Sequence, residues 1–120
     1  MSRTLIVEDD RLSGRALSRL LTFTGHESSW ATTLSEAVKK LDERPGTVLL
    51  DMALPDGSGL NLLAQIRNAH LPVKVAVTTA ESDSALMARV RALKPEQVFR
   101  KPLNIPAVLD WLSTTTPGQA

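Results

Sequence analysis

Residues 4–10 read Thr4-Leu5-Ile6-Val7-Glu8-Asp9-Asp10, a short apolar run broken off by three consecutive acids. A strand apolar on both faces is covered on both faces, which is the habit of a central strand in a parallel sheet. The run is too short for a membrane span or a signal-peptide core. Outward from it the pattern recurs. Thr47-Val48-Leu49-Leu50 ends at Asp51, and Val73-Lys74-Val75-Ala76-Val77-Thr78, less clean because of Lys74, leads into Thr79-Ala80. Gln97-Val98-Phe99-Arg100 is a shorter strand running into Lys101-Pro102, and Glu27-Ser28-Ser29-Trp30 is a weak one.

Helical patterns fill the intervals. Leu12, Ala16, Leu20 and Phe23 fall at three- and four-residue spacing, with Gly25 as a stop signal. Leu34, Ala37, Val38 and Leu41 form a second stripe, with Thr33 as cap and Glu36 completing a capping box. Leu62, Leu63 and Ile66 form a third, Leu86, Val90 and Leu93 a fourth, and Ile105, Val108, Leu109 and Leu112 a fifth. This alternation predicts an α/β domain: a parallel sheet with helices on both faces and right-handed crossovers. The domain is expected over residues 1–113, with 114–120 a polar tail or linker stub.

Composition narrows the function. A chain of 120 residues, 42% of them hydrophobic, has material for one ordinary core. The lack of cysteine excludes disulfides, thiolate zinc sites, iron–sulfur clusters and a cysteine nucleophile. Fourteen basic against 13 acidic residues, with no like-charge run longer than Glu8-Asp9-Asp10, predicts no nucleic-acid binding and no membrane-surface footprint. A soluble, reducing-compartment protein is the expectation.

Ligands of open parallel sheets bind beyond the carboxyl ends of the strands. There Glu8, Asp9, Asp51, Thr79 and Lys101 are predicted to converge on one rim. Packed carboxylates repel and raise one another's pKa unless a cation neutralises them. Carboxylate and carbonyl oxygens suit Mg2+. Beside a lysine and a hydroxyl, such a cation suits a phosphoryl group. No glycine-rich phosphate loop points to a nucleotide, so the candidate acceptor is a carboxylate of the protein itself.

These four strings, Leu5-Ile6-Val7-Glu8-Asp9-Asp10, Asp51-Met52-Ala53-Leu54-Pro55-Asp56-Gly57-Ser58-Gly59, Val77-Thr78-Thr79-Ala80 and Lys101-Pro102, resemble the receiver domain of two-component response regulators over about residues 3 to 113. The resemblance implies a flavodoxin-like (βα)5 three-layer sandwich with strand order 2-1-3-4-5. It implies that Asp51 is the phosphoacceptor, taking the group from a phosphohistidine of a sensor histidine kinase or phosphotransfer protein. Glu8, Asp9, Asp51 and the backbone carbonyl of Ala53 would hold Mg2+. Thr79 and Lys101 would bind phosphoryl oxygens, and the Lys101-Pro102 bond would be cis. Thr79 is preferred to Thr78 because the family's hydroxyl precedes a small residue, here Ala80.

The implied output is a switch in the surface of the fourth helix, fifth strand and fifth helix, which also allows a homodimer through that face. The downstream effector is open, and the expected location is the cytoplasm. Turnover of outside substrates is not expected. The pattern departs from the family at Val98, where an aromatic is usual, with Phe99 expected on the other face. Lys94-Pro95-Glu96 also replaces the common Gly-Ala before the fifth strand. Ala53 and Ala80 are small, so water would reach the acyl phosphate, with Glu81 a candidate modulator of its decay.

Two alternatives share the fold or the chemistry: a non-switching receiver-like adaptor, and a Mg2+-dependent aspartyl phosphatase. The latter usually needs a second acid near the nucleophile, where Ala53 stands. Other residues have plainer readings. Asp10 is expected to cap the first helix, Asp56-Gly57 to be a turn only, His26 and His70 to be surface residues, and Trp30 to be packing. Trp111, off the apolar stripe of its helix, is a candidate partner contact.

Overall fold

The computed structural model describes residues 3–80 and 82–115. In chain order the elements are β1 (Arg3–Val7), α1 (Arg11–Phe23), β2 (Glu27–Ala31), α2 (Leu34–Lys40), a 3-10 turn (Leu41–Glu43) and β3 (Thr47–Asp51). A hairpin of β4 (Ala53–Leu54) and β5 (Gly57–Ser58) follows, then α3 (Gly59–Asn68), β6 (Lys74–Thr79), α4 (Ser84–Ala92), β7 (Gln97–Arg100) and α5 (Ile105–Thr115). α5 thus runs two residues past Ser113; of the expected tail, residues 116–120 lie outside the described residues, as does Glu81.

The main sheet is parallel throughout, ordered β2-β1-β3-β6-β7. Without the hairpin strands this is the 2-1-3-4-5 order expected. The order reverses between β1 and β3, where Val7 lies opposite Leu50. Glu8 and Asp51 therefore leave the sheet side by side.

Strand alternation divides the core into two clusters. Leu5, Val7, Val48, Leu50, Val75 and Val77 face one side, with Leu62, Leu63 and Ile66 of α3 and Val90 of α4. Ile6, Leu49 and Ala76 face the other, with Leu17 and Leu21 of α1 and Val108 and Leu112 of α5. Full burial of each Val, Leu or Ile side chain among them contributes about 1.5–3 kcal/mol. Val98 packs against the first cluster and Phe99 against the second, where its ring meets Trp111 edge to face at 6.3 Å. Trp111 is thus partly buried against the second cluster.

Helix α1 is turned away from the expected stripe. Gly14, Leu17 and Leu21 are buried, whereas Leu12 and Phe23 are 82% and 89% exposed. Its end is as expected: Gly25 sits at φ 86°, and the Gly25 and His26 amides donate back to Thr22 and Leu21 at 3.1 and 2.8 Å. That is the Schellman arrangement, which a side chain at the left-handed position would strain. At α2, Thr33 accepts from the Glu36 amide, but the Glu36 carboxylate reaches Thr32 and not Thr33, at 2.7 Å from its N–H. The capping box is thus offset by one residue.

Candidate functional site

An open cavity of about 580 Å³ lies beyond the carboxyl ends of β1, β3 and β6. Glu8, Asp9, Asp51, Ala53, Thr79 and Lys101, all the expected site residues, line it together. Each reaches it because a strand or its hydrogen-bonded end puts it there. Asp51 and Thr79 are the last residues of β3 and β6. Lys101 follows β7, where its amide donates to the Thr79 carbonyl at 2.9 Å. The Lys101–Pro102 bond is cis. Of the two threonines, Thr79 lines the cavity, while the Thr78 carbonyl accepts from the Met52 amide at 3.2 Å.

The electrostatics centre on Lys101. Its Nζ lies 3.0 Å from Glu8 Oε1 and 2.9 Å from Asp51 Oδ2, bridging two carboxylates only 3% and 4% exposed as residues. Burial pushes the Glu8 carboxyl above its ordinary value, and the neighbouring Asp51 adds to the rise against the pull of Lys101. Burial pulls the Lys101 ammonium down, but its bonds to Asp51 and Glu8 outweigh that and hold it above its usual value. The remaining carboxylate oxygens are oriented by backbone. Asp51 Oδ1 accepts from the Ala53 amide at 3.2 Å, and Glu8 Oε2 from the Asp10 amide at 3.2 Å. Asp10 itself caps α1, accepting from Leu12 N–H and the Ser13 hydroxyl.

Glu8, Asp9 and Asp51 each place a carboxylate oxygen within 4.8 Å of the others. Three hard, anionic oxygens with no nitrogen or sulfur donor fit a hard divalent cation such as Mg2+ and not a zinc centre. The start of α3 closes the site from beside: Gly59 donates to the Met52 carbonyl at 2.9 Å, and a Cβ on it would overlap the Asp51 carbonyl oxygen.

Three features went unread in the sequence. Met52 and Ser82 also line the cavity; the only signal for them was adjacency to Asp51 and a position three residues past Thr79. Asp56, read as a turn only, does sit in the turn between β4 and β5, but it also caps α2 across space, with oxygens 2.8 and 3.1 Å from the Leu34 and Ser35 amides. The Leu34 bond holds the Asp56 carboxyl below its ordinary value. This ties the loop following Asp51 to a second helix. Trp30, read as packing, donates its indole N–H to the Glu8 carbonyl at 2.7 Å.

Comparison with known proteins gives a consistent picture. The family model described as "Response regulator receiver domain" matches residues 4–113. The transcriptional regulatory protein QseB of Haemophilus influenzae is 37% identical over 93 residues, spanning 77% of this chain and 41% of that protein. The virulence transcriptional regulatory protein PhoP of Salmonella typhimurium is 31% identical over 110 residues, spanning 91% and 49%. The chain thus spans about half the length of the curated relatives it matches. Among solved structures, the non-phosphorylated HemR receiver domain of Leptospira biflexa has a TM-score of 0.86 at 28% identity, covering 96% of this chain and 94% of that one. A CheY-like receiver domain protein of Methanospirillum hungatei reaches 0.89 at 24% identity, covering 95% and 92%, a likeness of fold.

Proposed function

The chain belongs to the response regulator receiver domain family, and from that premise we propose that it is a Mg2+-dependent phosphoacceptor switch. The observation that carries this reading is the meeting of Glu8, Asp9 and Asp51 with Lys101 and Thr79 in one open cavity. An Asp51 carboxylate oxygen attacks the phosphorus of a phosphohistidine on a sensor histidine kinase or phosphotransfer protein. The P–N bond breaks, its electron pair returns to the imidazole, and the ring nitrogen takes up a proton. Asp51 becomes an acyl phosphate.

The residues that would hold Mg2+ are Glu8, Asp9, Asp51 and the Ala53 carbonyl; when bound, the ion offsets charge on the phosphoryl oxygens. Lys101 then exchanges its bond to Asp51 for one to a phosphoryl oxygen, and the Thr79 hydroxyl donates to another. The added charge of about −2 draws Thr79 and the following loop toward the site. That shifts the populations of the α4/β7/α5 surface between two states, changing its affinity for an effector or a second copy. The exposed row of Leu12, Ala16 and Phe23 along α1 begins beside the acidic loop. It offers the phosphodonor an apolar seat leading away from the acidic loop. The setting is the cytoplasm, where such kinases present their phosphohistidine, and the domain turns over only its own phosphate.

Intact mass spectrometry after incubation with acetyl phosphate and Mg2+ tests the reading. Wild type is expected to gain about 80 Da, the mass of one phosphoryl group, and Asp51→Asn to gain none. No gain in wild type, or an equal gain in Asp51→Asn, overturns it.

A further inference from the structure

Asp9 is the exposed member of the acidic trio and lies in a segment without helix or strand, residues 8–10. Its direction is therefore set by the backbone on either side. The Glu8 amide is fixed to the sheet by donating to the Ala31 carbonyl at 3.0 Å. Past Asp9, the Asp10 carbonyl is held by the Gly14 amide at 2.8 Å. Between these anchors stands the peptide joining Glu8 to Asp9, and its carbonyl is taken by the Trp30 indole N–H at 2.7 Å.

The donor arrives on a rigid lever. Trp30 lies opposite Ile6 on the edge strand β2, and its ring reaches across to α1, where it packs on the second core cluster. The seat is Gly14: a Cβ there would overlap the indole ring. A partly buried tryptophan usually finds a partner for its N–H. Here that partner is the peptide from which a candidate metal ligand projects.

We propose that Trp30 is a positioning residue for the acidic site, holding the Glu8–Asp9 peptide in the orientation that presents Asp9 to a divalent cation. Gly14 serves by leaving the indole its place. The inference rests on the metal-binding part of the proposed function. Outer contacts that orient metal ligands typically matter tenfold or more in affinity.

The test is Mg2+ binding by isothermal titration, with the indole N–H resonance followed in parallel. In wild type, the Trp30 indole resonance is expected to move saturably with the midpoint of Mg2+ binding. Trp30→Phe keeps a ring but loses the donor, and Gly14→Ala keeps the donor but displaces it. Both are expected to weaken Mg2+ about tenfold, and the double variant no more than either alone. Thr4→Val breaks the buried Thr4–Thr47 hydroxyl pair at the other end of β1 and is the control for mere destabilisation; its Mg2+ affinity should match wild type.

An indole signal that ignores bound Mg2+, or single variants within twofold of wild type, overturns the inference. So does equal weakening in Thr4→Val. If wild type binds Mg2+, Asp9→Asn abolishes binding and Trp30→Phe changes nothing, this inference alone fails. If wild type binds no Mg2+, the proposed function fails and takes the inference with it.

Discussion

Two groups of charged side chains sit in this fold at different depths, Arg67 and Glu96 partly exposed and Glu8 and Asp51 buried around Lys101, and they are used in opposite ways. Arg67 of α3 donates to the Leu93 and Lys94 carbonyls at 3.0 and 2.8 Å and to Glu96 at 2.9 Å. Glu96 in turn accepts from the Val75 amide at 2.7 Å. Most of these bonds end on backbone, so the pair fastens the α4–β7 turn to α3 and β6. At the cavity, Lys101 instead holds two carboxylates that lie beside each other, each with one oxygen on the ammonium and the other on a backbone amide. Charge committed to backbone makes structure. Charge held by other charge, and open to solvent on one side, remains available for exchange, at some cost to stability.

The contrast predicts effects of opposite sign. The largest is expected at the structural pair: Arg67→Ala removes three hydrogen bonds and should cost about 2 kcal/mol, lowering the thermal midpoint by roughly 6–10 °C. Next, Glu8→Gln should raise stability by about 1 kcal/mol while reducing phosphoryl uptake, because burial disfavours the charge that the variant removes. Loss of stability in Glu8→Gln comparable to that in Arg67→Ala would break the comparison.

The smallest effect is in the pH dependence. Burial pushes the Glu96 carboxyl up, but the Val75 N–H and Arg67 outweigh it and hold the group below its ordinary value. Such a group adds stability above the usual glutamate range and loses it as pH falls through its folded value. Denaturant unfolding from about pH 7 to about pH 3 should therefore show wild type more stable than Glu96→Gln by a few tenths of a kcal/mol, the lead vanishing in acid. Glu8, raised and not lowered, should show the reverse: wild type behind Glu8→Gln near neutrality, the deficit closing as pH falls through the Glu8 range.

The alternation of strands and helices and the gathering of Glu8, Asp9, Asp51, Thr79 and Lys101 were legible because each polar residue terminates an apolar run, and run ends become one rim in a parallel sheet; the strand order came with the family resemblance. What escaped has a common physical reason: it depends on neighbours distant in sequence. The periodicity of Leu12, Ala16, Leu20 and Phe23 fits a helix as well as that of Gly14, Leu17 and Leu21 does. The buried face was concealed because one of its members is a glycine lying under Trp30. Asp56 has the look of a turn residue, and its partners Leu34 and Ser35 are on another helix. Asp56→Ala should loosen the start of α2 through the lost cap, read as faster hydrogen exchange at those two amides. Trp111 showed its angle on α5 but not the Phe99 ring that fills the space beside it.

The seating of the Trp30 ring on Gly14 has a consequence for descent. Neither position is free to drift alone: a lineage that acquires a side chain at 14 before it trims the ring at 30 passes through a crowded intermediate. The reverse order passes through an ancestor with an empty seat. The two residues, 16 apart in the chain, should therefore be inherited as one character. Chimaeras that exchange α1 between related proteins should succeed or fail according to whether β2 travels with it.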